Sequence, residues 1–194
     1  NVPVNWSMRN VVSIVGTRNP TSRGLDFCKR FMEVIQSYNP IIISGLAYGI
    51  DVCVHQQAMA FGLETFGILG HGLHRIYPEK HTAIAEKMME QGGLWTEFPI
   101  QSKMDRENFI QRNRLVAGSS QATIVVESAR KGGSMSSITF ANDYNRDVFA
   151  VPGRVGDPMS QGCNELIRTH RAQLLNDPME FIELLNWDKN KKPT

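Results

Sequence analysis

Two short glycine turns, each directly after an apolar run, constrain this chain more than any other feature. The first turn, residues 15–18 (VGTR), follows the strand-like residues 11–14, and the second, residues 44–51 (SGLAYGID), follows the isoleucines at 41–43. A turn at the carboxyl end of a buried strand leaves backbone N–H groups where an anion can bind. The pair of turns therefore indicates an α/β protein that binds a phosphate group.

Strand and helix patterns alternate along the whole chain. Short β-branched runs alternate with segments whose apolar residues recur at helical spacing. The predicted strands are residues 10–17, 41–44, 65–69, 94–98, 123–127, 148–151 and, at an edge, 173–175; the predicted helices are 23–38, 49–61, 81–91, 106–117, 134–144, 164–169 and 178–187. This alternation predicts a largely parallel, doubly wound, Rossmann-like sheet with helices on both faces. We expect one domain over residues 1–187 and a polar tail at 188–194.

Composition limits the classes of partner and site. The 194 residues are 41% hydrophobic with a net charge of +2, so a surface for nucleic acid must be a local patch. The three cysteines are far apart and form no metal-ligand spacing, which favours a reducing cytosol and no structural zinc. His71 and His74 could bind a metal, but no third ligand is near them in sequence. No membrane span or signal peptide is visible, and we expect a cytoplasmic protein.

The common nucleotide motifs are missing. Arg18 and Pro20 stand where the GxGxxG fingerprint needs glycines, and no GxxxxGK[ST] sequence is present. The sequence therefore argues against NAD and ATP, and we expect no cofactor.

Basic residues cluster in two further segments. Residues 106–114 (RENFIQRNR) are basic and polar, and Phe109 is expected to tie this helix to the core. Because residues two apart on a helix face different ways, Arg112 and Arg114 cannot both face one ligand. One could contact phosphate while the other pairs internally, or the helix could begin nearby with irregular backbone. Glu97 and Glu127 could each serve acid–base chemistry or, as easily, pair with one of these arginines. Residues 130–137 (RKGGSMSS) form a third glycine turn and a predicted anion nest at a helix start.

These motifs together resemble one known family. The segments that carry the resemblance are residues 14–18, 44–51, 70–73 with 77–78, 112–120, 125–127 with 133–134, 149–153 and 162–167. In this order and spacing they resemble the DNA processing protein A family, also called DprA or Smf. The resemblance covers about residues 11–175.

The resemblance implies an extended Rossmann core that binds single-stranded DNA and loads the recombinase RecA during natural transformation. It also implies a homodimer and no enzymatic activity. Carried over by position, the expected DNA-binding residues are Gly16, Thr17, Arg18, Ser44, Gly45, Gly49, Lys80, Arg112, Asn113, Arg114, Lys131, Gly133 and Ser134. The chain departs from the family pattern at Gly132, at Glu79 and at residues 170–172, which leaves individual contacts open.

Two other functions stay open at this point. A nucleotide phosphoribohydrolase with a related fold would use Glu127 or Glu97 on a nucleoside monophosphate. The Pro-Gly-Gly-x-Gly-Thr turn of such enzymes is absent, and Lys131 stands at the start of the corresponding turn. A small-nucleotide sensor could use the same pocket.

Overall fold

A seven-stranded parallel sheet forms the centre of the molecule. The computed structural model describes residues 9–187, so the predicted tail at 188–194 lies outside the described residues. The strands are β1 (Val11–Gly16), β2 (Ile41–Ser44), β3 (Thr65–Ile68), β4 (Gly92–Trp95), β5 (Ala122–Val126), β6 (Asp147–Ala150) and β7 (Gln173–Leu174). Their order is β4-β3-β2-β1-β5-β6-β7, and every neighbouring pair is parallel. This confirms the predicted fold class.

Within residues 9–187, seven α-helices cover the two faces of the sheet. They are α1 (Ser22–Ile35), α2 (Ile50–Ala60), α3 (Thr82–Met88), α4 (Arg106–Gly118), α5 (Met135–Asp143), α6 (Gln161–Arg168) and α7 (Pro178–Leu184). None of these helices is long and apolar enough to cross a lipid bilayer.

Side-chain alternation along β1 explains how one strand serves two cores. Val12 and Ile14 join a cluster built with α1, α2 and α7. Val11 and Val15 point the other way, into a cluster built with α4, α5 and α6. Because successive strand residues face opposite sides, a strand buried on both faces is largely apolar. The buried Ser13 of β1 shares a 2.7 Å hydrogen bond with Thr123.

The prediction was wrong at the glycine pair 92–93. These residues do not end a helix: α3 ends at Met88, and the glycines form the first half of β4. A Cβ atom at Gly92 would overlap the backbone of Thr65 on β3. The glycine is needed for close strand pairing, a reason that only the neighbouring strand reveals.

The register of β1 and β5 sets the position of the candidate site. Gly16 at the end of β1 pairs with Val126 at the end of β5. The chain segments that follow these two strands therefore leave the sheet side by side, at the same edge. These segments carry Arg18 and Lys131.

Candidate nucleic-acid interface

A large open cleft lies at the carboxyl ends of β1 and β5. Its volume is about 820 Å³, and α4 and the segment from Ser128 to α5 contribute to its walls. The lining residues are Val15, Gly16, Thr17, Arg18, Ala47, Asp51, Tyr77, Met104, Asp105, Arg106, Phe109, Ile110, Arg112, Asn113, Ser128, Ala129, Lys131, Gly132, Gly133, Ser134, Ser136, Ser137 and Met159. Residues from three of the predicted basic segments thus meet in one cleft.

The exposed charges of this cleft are mainly positive. Arg18, Arg106 and Lys131 line it and are exposed, and none has a side-chain hydrogen bond or ion pair to any of residues 9–187. Of the two carboxylates in the lining, Asp51 is buried and Asp105 caps α4 by accepting from Glu107 N at 3.1 Å. Unpaired arginine and lysine side chains beside engaged carboxylates favour an anionic ligand.

The start of α5 adds backbone donors to the same cleft. Within the described part of the chain, the N–H groups of Gly133, Ser134, Ser136 and Ser137 have no hydrogen-bond acceptor. All four residues line the cleft. Orphan N–H groups at a helix start carry partial positive charge, so this wall suits phosphate oxygens.

The Arg112 side chain forms the buried floor of the cleft. Its Nη1 donates to Gly45 O at 2.6 Å and also to Ile68 O, which ties α4 to the ends of β2 and β3. Burial lowers the pKa of Arg112 to about 10, and the nearby Asp51 carboxylate opposes this effect. Burial also raises the pKa of Asp51, with Arg112 opposing. The Arg112 guanidinium is therefore held at the floor of the cleft by protein carbonyl groups.

Asn113 connects the floor to the wall. Its Oδ1 accepts from Arg112 Nε at 3.1 Å, and its Nδ2 donates to Ser136 Oγ at 2.8 Å. Ser136 in turn donates to Gly133 O at 2.9 Å. This chain of polar contacts fixes the start of α5 relative to α4, so the backbone donors of the wall are held in place.

Arg114 lies outside the cleft lining and forms an ion pair with Glu97. Of the alternatives that the sequence left open for Glu97, the structure shows pairing with an arginine of this segment. Both guanidinium groups of this segment thus have protein partners.

Several predicted site residues are placed away from the cleft surface. Ser44 is fully buried and its hydroxyl donates to Ile14 O at 2.6 Å, so a hydroxyl contact from Ser44 to a ligand is corrected to a bond between neighbouring strands. Gly45 is buried against Arg112. Gly49 packs on the turn after β1, and Lys80 is exposed but outside the cleft lining.

Gly16 and Thr17 line the cleft, but their roles differ from those expected. A Cβ atom at Gly16 would lie 2.6 Å from Cγ1 of Ile50, so the glycine serves packing of β1 against α2. The Thr17 N–H already donates to Glu127 O at 2.8 Å. The first turn therefore offers the Arg18 side chain to the cleft rather than a free Thr17 amide.

An apolar wall beside the cations was largely missed from the sequence. Phe109 contacts the buried His71, as expected of a residue that ties α4 to the core. It also lines the cleft, with its ring centroid 5.8 Å from that of Tyr77. Ile110 and Met104 extend this surface and are exposed. The contact between Tyr77 and Phe109 joins segments that are distant in sequence.

The carboxylate of Glu127 is hydrogen-bonded to the residue that precedes α1. Its carboxylate accepts hydrogen bonds from Thr21 N at 2.8 Å and from the Thr21 hydroxyl. The residue has φ of 58°, in the left-handed region that side chains rarely adopt. Both carboxylates considered for acid–base chemistry, Glu97 and Glu127, are thus engaged with protein groups.

The model of one protein family, DNA recombination-mediator protein A, matches residues 3–186. The chain belongs to this family. The family resemblance seen in the sequence is therefore confirmed.

Individual relatives of this DprA-family chain support the same family membership. It is 36% identical over 177 residues to Protein Smf of Escherichia coli, covering 91% of this chain and 47% of the relative. It is 36% identical over 173 residues to the DNA processing protein DprA of Bacillus subtilis, covering 89% of this chain and 58% of the relative. The chain thus spans about half the length of the curated relatives it matches.

Solved structures show the same fold. DNA processing protein A from Helicobacter pylori, described for its single-stranded DNA binding mode, superposes with a TM-score of 0.85 at 28% identity, covering 93% of this chain and 82% of that one. The Streptococcus pneumoniae DprA structure gives 0.81 at 29% identity, covering 95% and 64%. A molybdenum cofactor carrier protein from Chlamydomonas reinhardtii shares only the fold, with a TM-score of 0.60 at 14% identity over 92% of this chain and 96% of that one.

Proposed function

We propose that this chain binds single-stranded DNA along the cleft after β1 and β5. The observation that carries the proposal is the meeting of the unpaired cations Arg18, Arg106 and Lys131 with the free amides at the start of α5. Successive phosphates lie against these groups. The family membership and the DNA-binding Helicobacter pylori relative support the same ligand.

The apolar wall of the cleft favours single-stranded DNA over duplex DNA. The cleft is lined on this side by Tyr77, Phe109 and Ile110. Unstacked bases can pack on such apolar and aromatic surfaces. In a duplex the bases are stacked inside the double helix, so they cannot pack on this wall. Contacts to phosphates and ring faces do not read base edges, so we expect weak sequence preference.

The positions of the predicted site residues divide them into direct DNA contacts, supporting residues and residues outside the cleft. In the proposal the DNA is contacted directly by Arg18, Arg106, Lys131, Gly133 and Ser134. Gly16 and Thr17 shape the cleft beside them. Arg112, Asn113 and Gly45 position the walls from beneath. Ser44 and Gly49 support the turns, and Lys80 and Arg114 lie outside the bound segment of DNA.

The proposed role is that of a non-catalytic recombination mediator in the cytoplasm. Bound as a homodimer on a single strand, the protein presents that strand to RecA during natural transformation. The engagement of Glu97 and Glu127 by protein partners supports a binding protein over a nucleotide-cleaving enzyme. RecA filament assembly on DNA coated with single-strand-binding protein, with and without this chain, tests the mediator role.

Fluorescence anisotropy with a labelled oligo(dT) tests the DNA-binding proposal. We expect Arg18→Ala and Lys131→Ala each to weaken binding by about 10-fold or more at low salt, because a charge-assisted contact is worth about 1.5–3 kcal/mol. Arg30→Ala is the matched control, since Arg30 is an exposed arginine on α1 outside the cleft. Equal affinity of Arg18→Ala and wild type would overturn the proposal.

Salt dependence and competing ligands complete the test. The logarithm of the affinity should fall by about 0.7 per phosphate contacted for each tenfold rise in salt. Thermal stabilisation by mononucleotides but not by oligonucleotides would instead indicate a small-nucleotide sensor. Release of free base from AMP would indicate the phosphoribohydrolase.

A further inference from the structure

The turn that carries Arg18 is held at both ends by a single residue. Glu127, directly after β5, accepts a hydrogen bond from Thr17 N at 2.8 Å through its backbone carbonyl. Its carboxylate accepts from Thr21 N at 2.8 Å and from the Thr21 hydroxyl. Thr17 and Thr21 flank the segment 18–20, so Glu127 closes this segment into a loop.

The backbone beneath Arg18 is supported on its other side by α2. Ile50 N donates to Thr17 O at 3.1 Å, and a Cβ atom at Gly49 would lie 2.7 Å from Cα of Arg18. The Arg18 side chain is exposed, lines the cleft and has no hydrogen bond or ion pair to residues 9–187. Its direction is therefore set by this backbone, which lies between α2 and Glu127.

Glu127 makes its contacts from a strained backbone conformation. Its φ of 58° lies in the left-handed region, which glycine adopts without strain. Strained residues of this kind cluster at ligand sites. The first turn of α1 also leaves space for the carboxylate, because a Cβ atom at Gly24 would lie 2.7 Å from Oε2 of Glu127. Both features place the carboxylate against Thr21.

We propose that Glu127 is a positioning residue for DNA binding, which acts by holding the Arg18 turn. This proposal rests on the proposed function, in which Arg18 contacts a DNA phosphate. By charge alone, a carboxylate beside the cleft repels DNA, so its removal would raise the affinity. If Glu127 orients Arg18, its removal lowers the affinity, because the turn must then be ordered when DNA binds. The sign of the effect separates the two roles.

Fluorescence anisotropy with labelled oligo(dT) at low salt measures this sign. We expect Glu127→Gly to weaken binding by up to about 10-fold, which is the loss expected of Arg18→Ala. Glycine is chosen because it removes the carboxylate and also relieves the backbone strain. Glu97→Gln is the matched control, since it removes one negative charge outside the cleft lining and should bind as wild type does. Affinity of Glu127→Gly equal to or above that of wild type would overturn the proposal.

A double substitution separates positioning from a merely structural role. In the Arg18→Ala background, Glu127→Gly should weaken binding by less than about 2-fold more, because its effect passes through Arg18. An equal loss in both backgrounds would overturn the positioning role while leaving the DNA cleft in place. Arg18→Ala that binds as wild type does would instead overturn the proposed function, and the positioning role with it.

Gly24→Ala displaces the carboxylate with Glu127 still present. The added methyl group occupies the space of Oε2, whereas alanine suits a helix better than glycine, so stability should change little and affinity should fall. Amide hydrogen exchange gives a readout without DNA. The Thr21 N–H should exchange faster in Gly24→Ala and in Glu127→Gly than in wild type, because it loses its acceptor. Unchanged exchange of this amide in both folded variants would overturn the proposal.

Discussion

The guanidinium of Arg112 donates a 2.6 Å hydrogen bond to the backbone carbonyl of Gly45. Gly45 faces this guanidinium with its Cα hydrogens, and a Cβ atom there would lie 2.6 Å from both Arg112 Nη1 and Asp51 Oδ2. The missing side chain at residue 45 thus makes room for a buried cation and a buried carboxylate. This arrangement supports the floor of the cleft.

Gly45→Ala should therefore destabilise the protein. The added methyl group cannot be accommodated without moving Arg112 or Asp51, and overpacking of this kind costs about 1–3 kcal/mol. Chemical denaturation gives the free energy of unfolding directly. An alanine variant as stable as wild type would show that the floor rearranges at little cost.

Gly133→Ala is the contrasting substitution at the wall. A Cβ atom there meets nothing within 4 Å, so the free energy of unfolding should change by no more than about 0.5 kcal/mol. The same methyl group enters the space where we place a phosphate, and oligo(dT) affinity should fall. Unchanged affinity would place the DNA backbone elsewhere.

Arg112→Met tests whether the buried arginine is structural. The substitution leaves the Gly45 and Ile68 carbonyls and the Asp51 carboxylate without their cation, and we expect a loss of about 3–5 kcal/mol in unfolding free energy. Asp51→Asn in the same background should restore part of the loss, because it removes the unpaired buried charge. Lost DNA affinity with full stability would instead make Arg112 a ligand contact.

Arg114→Ala should have little effect on either property. The Arg114–Glu97 pair is partly exposed, with side-chain exposures of 42% and 29%, so its loss costs about 0.2–1 kcal/mol. Because Arg114 lies outside the cleft, oligo(dT) affinity should stay close to that of wild type. A loss equal to that of Arg18→Ala would show that DNA extends beyond the cleft.

His55 makes stability depend on pH. Its ring is fully buried, shares a 2.6 Å hydrogen bond with Thr65 Oγ1, and faces Arg112 and His81. Burial, aided by Arg112 and His81, lowers the pKa of His55 from 6.5 to about 3. Between these values the unfolded chain binds the proton and the folded chain does not. His55 therefore lowers the unfolding free energy by up to about 1.4 kcal/mol per pH unit as the pH falls from 6.5.

Denaturation curves at pH 7 and pH 5 check this dependence. We expect His55→Asn to lose less stability between the two pH values than wild type. His170→Asn, at an exposed histidine, is the control and should follow wild type. Parallel behaviour of His55→Asn and wild type would assign the acid sensitivity to other groups.

The fold was predictable because its signals are local. Val11, Val12 and Ile14 form one apolar run, and such a run buried on two faces has few alternatives to a central parallel strand. The exception, Gly92, belongs to a strand because of contacts with Thr65 that no local pattern shows.

The sequence was sufficient to predict at which edge of the sheet the site lies, but not the role of every residue in it. Arg18 and Lys131 each follow a strand, and parallel pairing brings such residues together without further information. The role of Ser44 was not predictable, since its hydroxyl partner is a carbonyl of the neighbouring strand. The burial of Arg112 likewise depends on Ile68, far away in sequence.

The strand order has a consequence for how the protein is made. β1 and β5 are neighbours in the sheet, yet β2, β3 and β4 come between them along the chain. A nascent chain leaving the ribosome carries Arg18 long before Lys131 has been translated. The cleft therefore acquires its second wall only when β5 has been added beside β1.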